Sequence, residues 1–174
     1  DYDTVFDEWN AGQQDASDME VVIMADLSGS MSSHAGEMSR ALWVVRRAIQ
    51  QASSSSVVSV LGYGTEAGYL GARGEQASAN RYERYNCMDN GTMPYKSLNE
   101  AVALFATTQR KKRVLITLTD GVWGNEDVCN ESIQKLNDAG VVTSLFMFNT
   151  SFQTDEIIRK HPLDQRMVLL GHHS

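Results

Sequence analysis

The stretch that decides how this chain reads is Val21-Val22-Ile23-Met24-Ala25-Asp26-Leu27-Ser28-Gly29-Ser30. Five apolar residues in a row fit a strand covered on both faces, the signature of a parallel sheet between helices. The run ends on a carboxylate, and two hydroxyls follow on a tight turn in which Gly29 lets the backbone pass close to a ligand. Two later segments supply matching oxygens. Asn90-Gly91-Thr92 stands ahead of a helix-like stretch, its first two residues being types that readily adopt positive φ, and Thr119-Asp120-Gly121 closes the apolar run Val114 to Leu118.

Together Asp26, Ser28, Ser30, Thr92 and Asp120 offer only oxygen donors. Such a set suits a hard divalent cation, Mg²⁺ first with Mn²⁺ or Ca²⁺ as alternatives, and suits Zn²⁺ or copper poorly. Neutral hydroxyls in the inner shell do little to quench the cation. A sixth position then stays electrophilic and can accept a carboxylate from a partner, which makes a binding device rather than a catalytic one. Taken singly, Ser28 and Ser30 read equally well as caps of the next helix and Asp120 as part of an ordinary turn. The conjunction of all three segments favours the metal site.

These segments resemble the von Willebrand factor A (VWA) domains that carry a metal-ion-dependent adhesion site. The Asp-x-Ser-x-Ser turn, the distant Thr and the later Asp-Gly occur in order and without substitution, and the resemblance spans roughly Met19 to Leu170. It implies that Ser28, Ser30 and Thr92 touch the ion directly or nearly so, and that Asp26 and Asp120 hold it partly through waters. The turn through Met31, the strand end Leu61-Gly62-Tyr63-Gly64 and Thr119-Asp120-Gly121-Val122-Trp123 are most similar to intracellular bacterial and phage members. Those include the C-terminal domain of a cobalt-chelatase subunit and domains that work with AAA+ ATPases of the MoxR type. The resemblance therefore implies a cytoplasmic adaptor between such an ATPase and its client, with a secreted or surface adhesion module as the alternative.

A chain of 174 residues is large enough to bury a core without staples. Its net charge of −7 argues against phosphate-backbone binding as the main task, so no nucleic-acid partner is expected. No apolar run approaches the roughly 18 residues of a membrane span, and the N-terminus lacks the basic-then-apolar layout of a signal peptide. The two cysteines, Cys87 and Cys129, form no disulfide framework and read as free thiols of a reducing compartment near the metal face.

Apolar strands alternate with helical patterns along the chain. Strands are expected at Val21–Ala25, Val57–Tyr63, Val114–Thr119, Val141–Phe148 and Met167–Leu170, with Ala67–Leu70 as an antiparallel edge. Helices are expected over Glu37–Ala52, Ser97–Thr108, Glu126–Ala139 with Gly140 as its stop, and a short Asp155–Lys160 closed by Pro162. Their inward faces are Met38, Leu42, Val45 and Ile49, widened by Trp43 and Val44; Leu98, Val102 and Phe105; and Val128, Ile133 and Leu136. The expected fold is α/β in three layers: a mostly parallel sheet with one antiparallel edge strand and helices on both faces. Residues 1–18 read as an arm or short helix and 19–174 as the VWA domain. The family's helix after the last strand is missing from the pattern, and the arm is the first candidate to cover that part of the sheet.

Trp123, just after Asp120-Gly121, is a candidate aromatic anchor for a partner as well as an ordinary packing residue. Arg81 and Arg84, in the irregular stretch Gly71 to Asp89, are candidates to pair with further acidic groups on that partner. Gly62-Tyr63-Gly64-Thr65-Glu66-Ala67 carries the letters of a dinucleotide-binding motif, but no helix follows it. A phosphotransferase lacks its second Asp, since Ser28 stands there, and a serine hydrolase lacks its Gly-x-Ser-x-Gly elbow. The chain thus reads as a binding module and not an enzyme. His34 reads as a solvated turn residue, and His172 and His173 as a tail.

Overall fold

The computed structural model describes residues 18–64, 67–87, 91, 93–120, 126–148 and 167–170, of which 67, 126 and 167–170 are described by backbone alone. The sheet has six strands: β1 (Met19–Asp26), β2 (Val57–Tyr63), β3 (Ala67–Gly71), β4 (Lys112–Thr119), β5 (Val142–Phe148) and β6 (Met167–Leu170). Their order is β3-β2-β1-β4-β5-β6. Every neighbouring pair is parallel except the β2–β3 hairpin, so the single antiparallel strand lies on the edge as expected. Among the described residues three α-helices accompany the sheet: α1 (Ala35–Ala52), α2 (Tyr95–Thr107) and α3 (Glu126–Asp138). A 3-10 turn, Gly29–His34, leads into α1.

Alternation along β1 explains the two-sided core. Val21, Ile23 and Ala25 point to one face, where Met38, Leu42, Val45 and Ile49 of α1 join Val58, Ile116 and Phe146. Val22 and Met24 point to the other, packing with Leu98 and Phe105 of α2 and Cys129, Ile133 and Leu136 of α3. β1 is buried throughout because it is central and covered on both sides.

Several sequence expectations need correcting. Val128 and Val102 do not face inward: they are 50% and 37% exposed, while their neighbours Cys129 and Ala101 are buried. A helix turns by 100° per residue, so a one-residue error in phase trades an apolar neighbour for the true core position. β4 begins at Lys112, two residues before the expected Val114. The two cysteines are free and buried. They sit in cores on opposite faces of the sheet, which removes the possibility of a bridge between them. Gly140 does stop α3: its φ is 88°, and the Val141 N–H returns to the Leu136 carbonyl at 2.9 Å. The proposed arm apart from Asp18, the helix Asp155–Lys160 and the tail histidines lie outside the described residues.

At the amino end of the sheet the sequence reading missed Glu20, a fully buried carboxylate. Arg73 grips it with two bonds, Nε to Oε2 at 3.1 Å and Nη2 to Oε1 at 2.8 Å. Arg110 reaches the same carboxylate at 4.0 Å, pairs with Asp18 at 3.1 Å and donates to the Ser55 carbonyl. Removing one member of a buried pair costs several kcal/mol, less where the surviving group can reach water, as the 46% exposed Arg73 can. Glu20→Ala is therefore expected to lower unfolding stability by about 2–4 kcal/mol, measured by urea denaturation, and a change below about 0.5 kcal/mol would show the cluster to be ornamental.

Candidate metal centre

The strand order reverses direction at β1 and β4. β1 crosses through α1 on one face to reach β2, whereas β4 crosses through α3 on the other to reach β5. The two connections leave in opposite directions and open a crevice beyond the carboxyl ends of β1 and β4, the usual ligand position in such sheets. Ala25 pairs with Leu118, which brings Asp26 level with Thr119 and close to Asp120.

The Asp26 side chain is fully buried. Its Oδ1 accepts the Ser28 N–H at 2.9 Å and its Oδ2 accepts the Thr119 hydroxyl at 2.7 Å. Further bonds fix the turn: the Leu27 N–H reaches the Tyr63 carbonyl at 2.8 Å and the Met31 N–H the Ser28 carbonyl at 3.0 Å. The Ser28 and Ser30 hydroxyls then lie 3.0 Å apart. Ser28 and Asp120 are buried and Ser30 is exposed, so the cup grades from a buried carboxylate to a hydroxyl in solvent.

The reading of Ser28 and Ser30 as helix caps does not hold. Neither the 3-10 turn nor α1 has a side-chain cap bond at its start, and α1 begins after His34. The hydroxyls are turned toward one another instead, and that of Ser28 also bonds the Asp26 carboxylate. Among the described residues no group of three or more His, Cys, Asp and Glu could hold a metal, so the donors here are two carboxylates and two hydroxyls. That set fits a hard divalent cation with part of its shell open.

Burial pushes the Asp26 carboxyl up from 3.8 to about 6; hydrogen bonds from Ser28 and Thr119 pull it down, and the nearby Asp120 charge adds to the rise. Cys87 closes the cup from the side, its thiol donating to the Asp26 carbonyl at 3.7 Å. Burial, with the Asp26 charge behind it, pushes that thiol up to about 11, which leaves it unreactive at neutral pH.

The sequence reading set the Thr119-Asp120-Gly121 segment and Cys87 at the metal face, and Cys87 does lie there. What it did not give is their bonding to Asp26: the Thr119 hydroxyl to the carboxylate and the Cys87 thiol to the carbonyl. Thr92 and Trp123 lie outside the described residues, although Met93 is pinned to the same end of the sheet by its N–H to the Gly64 carbonyl at 2.8 Å. The structure separates Arg81 from Arg84. Arg84 lies against Gly36 at the start of α1, whereas Arg81 lines a cavity along that helix's flank. His34 is half-buried, its ring 5.9 Å from that of Phe148.

No protein-family model matches the sequence, and no curated protein is similar to it in sequence. Solved structures are similar in fold. The VWA domain of SpRpn10 superposes with a TM-score of 0.61 at 9% identity, over 87% of this chain and 86% of that one. The vWF domain of the type V pili tip protein Mfa5 from Porphyromonas gingivalis gives 0.65 at 11% identity, over 88% and 89%. Proximal thread matrix protein 1 from the mussel byssus, with a zinc-occupied MIDAS motif, gives 0.66 at 16% identity, over 88% of this chain and 41% of that one. At these identities the likeness defines the class by architecture: this chain has the α/β fold of a VWA domain.

The raised Asp26 carboxyl fixes the pH behaviour of the metal-free protein. Between about 3.8 and about 6 the native state holds a proton that the unfolded state has lost. The stabilisation this gives is complete below 3.8 and disappears as pH rises through about 6. In EDTA at pH 7, Asp26→Asn is therefore expected to be more stable than wild type by about 2–3 kcal/mol, with the gap closing toward pH 4. Chemical denaturation across that range is the measurement, and a gap that stays constant with pH would assign the difference to something other than Asp26 ionisation.

Proposed function

We propose that the chain is a metal-dependent protein-binding module in which Asp26, Ser28, Ser30, Thr92 and Asp120 hold a divalent cation, Mg²⁺ by preference, and a partner Asp or Glu completes the shell. The observation that carries this reading is the uncapped Ser28–Ser30 hydroxyl pair, 3.0 Å apart, set beside the buried Asp26 at the β1–β4 crossover. When bound, the cation supplies an electrophilic position for a carboxylate. The chain's own groups do the rest. Thr119 and the Ser28 N–H hold the Asp26 carboxylate in place, the turn presents both hydroxyls at the rim, and the buried strand ends keep the cup rigid. No catalytic step is assigned to it. The zinc-occupied MIDAS of the mussel protein is a reason to test Zn²⁺ beside Mg²⁺, Mn²⁺ and Ca²⁺, despite the hard donor set.

Within that function we favour a cytoplasmic adaptor working with an AAA+ ATPase, of MoxR or chelatase type. The support is the resemblance of the Asp26–Met31 turn and the Leu61–Gly64 strand end to intracellular VWA members, and two cysteines buried on opposite faces of the sheet, too far apart to bridge, agree with it. The surface-adhesion alternative has its own support in the fold likeness to a pilus tip domain. Among the described residues no helix is long and apolar enough to cross a membrane. Trp123 and Arg84 are the residues we assign to partner contact beside the metal; Arg81, set further along α1, belongs with the partner only if the footprint extends that far.

Calorimetric titration is expected to show one site for Mg²⁺ or Mn²⁺ and a loss of at least tenfold in affinity for Asp120→Ala, with the far-UV spectrum kept. Pull-down from the source cell with wild-type protein in Mg²⁺ should recover a partner that EDTA and Asp120→Ala both release. Metal binding unchanged in Asp120→Ala, or a partner retained in EDTA, would remove the metal-bridged mode.

A further inference from the structure

Residues 72–87 do not form a free loop at the metal face. They run back along α1 as a strap, from its carboxyl end to its amino end. Gln50 and Arg46 donate to the Glu75 carbonyl at 2.9 and 2.7 Å, Trp43 Nε1 donates to the Ser78 carbonyl at 2.8 Å, and the Tyr85 N–H reaches the Ser39 hydroxyl at 2.9 Å. Between strap and helix lies a cavity of about 300 Å³, walled by Leu42, Trp43, Leu70 and Tyr85 and furnished with Arg46 and Arg81.

Arg46 is the unusual member. Only 7% exposed, it gives one bond to the Glu75 carbonyl, while its Nε is buried with no partner. The nearest carboxylate, Glu75 Oε2, is 3.8 Å away, beyond hydrogen-bond reach, and already accepts the Ala72 N–H at 2.9 Å. The other acid on the wall, Glu83, accepts the Tyr85 hydroxyl at 3.3 Å. A buried guanidinium with one hydrogen bond is costly, and an oxyanion in the cavity that Arg46 lines would give the group a further acceptor, at a nitrogen other than the enclosed Nε. The fold makes room for the guanidinium itself: a Cβ on Gly71 would sit 2.8 Å from Arg46 Nη2 and 2.9 Å from Cζ.

We propose that this cavity binds a small monocarboxylate with an apolar body, the carboxylate meeting Arg46 and Arg81 and the body lying among Leu42, Trp43, Leu70 and Tyr85. The size and the charge both lead there. A volume of about 300 Å³ stands at the lower limit of ligand pockets and admits a molecule on the order of ten non-hydrogen atoms. Glu75 and Glu83 share the wall with the two arginines and leave no surplus charge for a dianion, so the favoured anion is the one that supplies two acceptor oxygens to the guanidiniums at the lowest charge, a monocarboxylate. A second hollow, lined by Ser78, Arg81, Tyr82 and Glu83, shares three of those residues with the cavity and gives access from the exposed side of the strap. This site is independent of the metal cup.

Two-dimensional ¹H–¹⁵N NMR of the full chain tests it, with phenylacetate, phenylacetamide and phenethylamine as probes. Phenylacetate is expected to shift the Trp43 indole N–H and the Leu70 and Tyr85 amides saturably, with millimolar or tighter affinity, and the amide and amine to bind at least tenfold more weakly. Arg46→Gln and Arg81→Gln should each cost about tenfold; where Arg46→Gln fails to fold, the exposed Arg81 carries the test alone. Asp120→Ala and EDTA should change nothing, which separates this site from the metal reading. Equal binding of the amide, absence of saturable shifts, or shifts confined to the Asp26 turn would each overturn the proposal.

Discussion

A carboxylate buried at the tip of the central strand is the constraint around which the carboxyl end of this domain is built. Asp26 is enclosed because β1 is covered on both faces, and an enclosed carboxylate needs donors for both oxygens. One comes from the turn and one from the neighbouring strand, through the Ser28 N–H and the Thr119 hydroxyl. Those two bonds do more than satisfy the acid. They set the turn so that the Ser28 and Ser30 hydroxyls face each other, and they tie the end of β1 to the end of β4, where Asp120 follows. The two cores supply the stability that tolerates this cost.

The parts of the fold written in near-continuous apolar runs were legible in the sequence. β1, β4 and β5 each carry such a run, the pattern expected of a buried parallel sheet. The helix phases were less legible. Val128 and Cys129 are adjacent, both apolar enough to face the core, and only packing against α2 and the sheet decides between them. At the site, the Asp26, Ser28 and Ser30 spacing foretold their convergence because it is local. Thr119 and Cys87 act on Asp26 from 93 and 61 residues away, and no periodicity announces a contact of that range.

The stretch from Ala72 to Cys87 was illegible for a different reason. It lacks regular structure, so its order comes from bonds to α1 that a helix presents only once folded: Gln50, Arg46, Trp43 and Ser39 lie along one flank at near-helical spacing and each takes a strap partner. Read alone, the segment is a polar loop with arginines. Read on α1, it is a brace whose far end delivers Cys87 to Asp26, so the integrity of the cup depends on a segment that starts at the opposite end of the sheet.

β1 carries two fully buried carboxylates, and the fold treats them oppositely. Glu20, at the amino end, is neutralised by the bidentate Arg73 with Arg110 beyond it. Asp26, at the carboxyl end, makes no ion pair among the described residues; it is held by the Ser28 amide and by the Ser28 and Thr119 hydroxyls, and Asp120 adds like charge beside it. Two arginines surround one buried acid, whereas among the described residues none pairs with the other, whose carboxyl burial raises to about 6. Stability alone would favour either a third arginine or a neutral residue at this position. Leaving Asp26 without a cation among the described residues, beside a pair of uncapped hydroxyls, makes sense if positive charge arrives from outside, and a small divalent cation is the species whose size and donor preference match that gap.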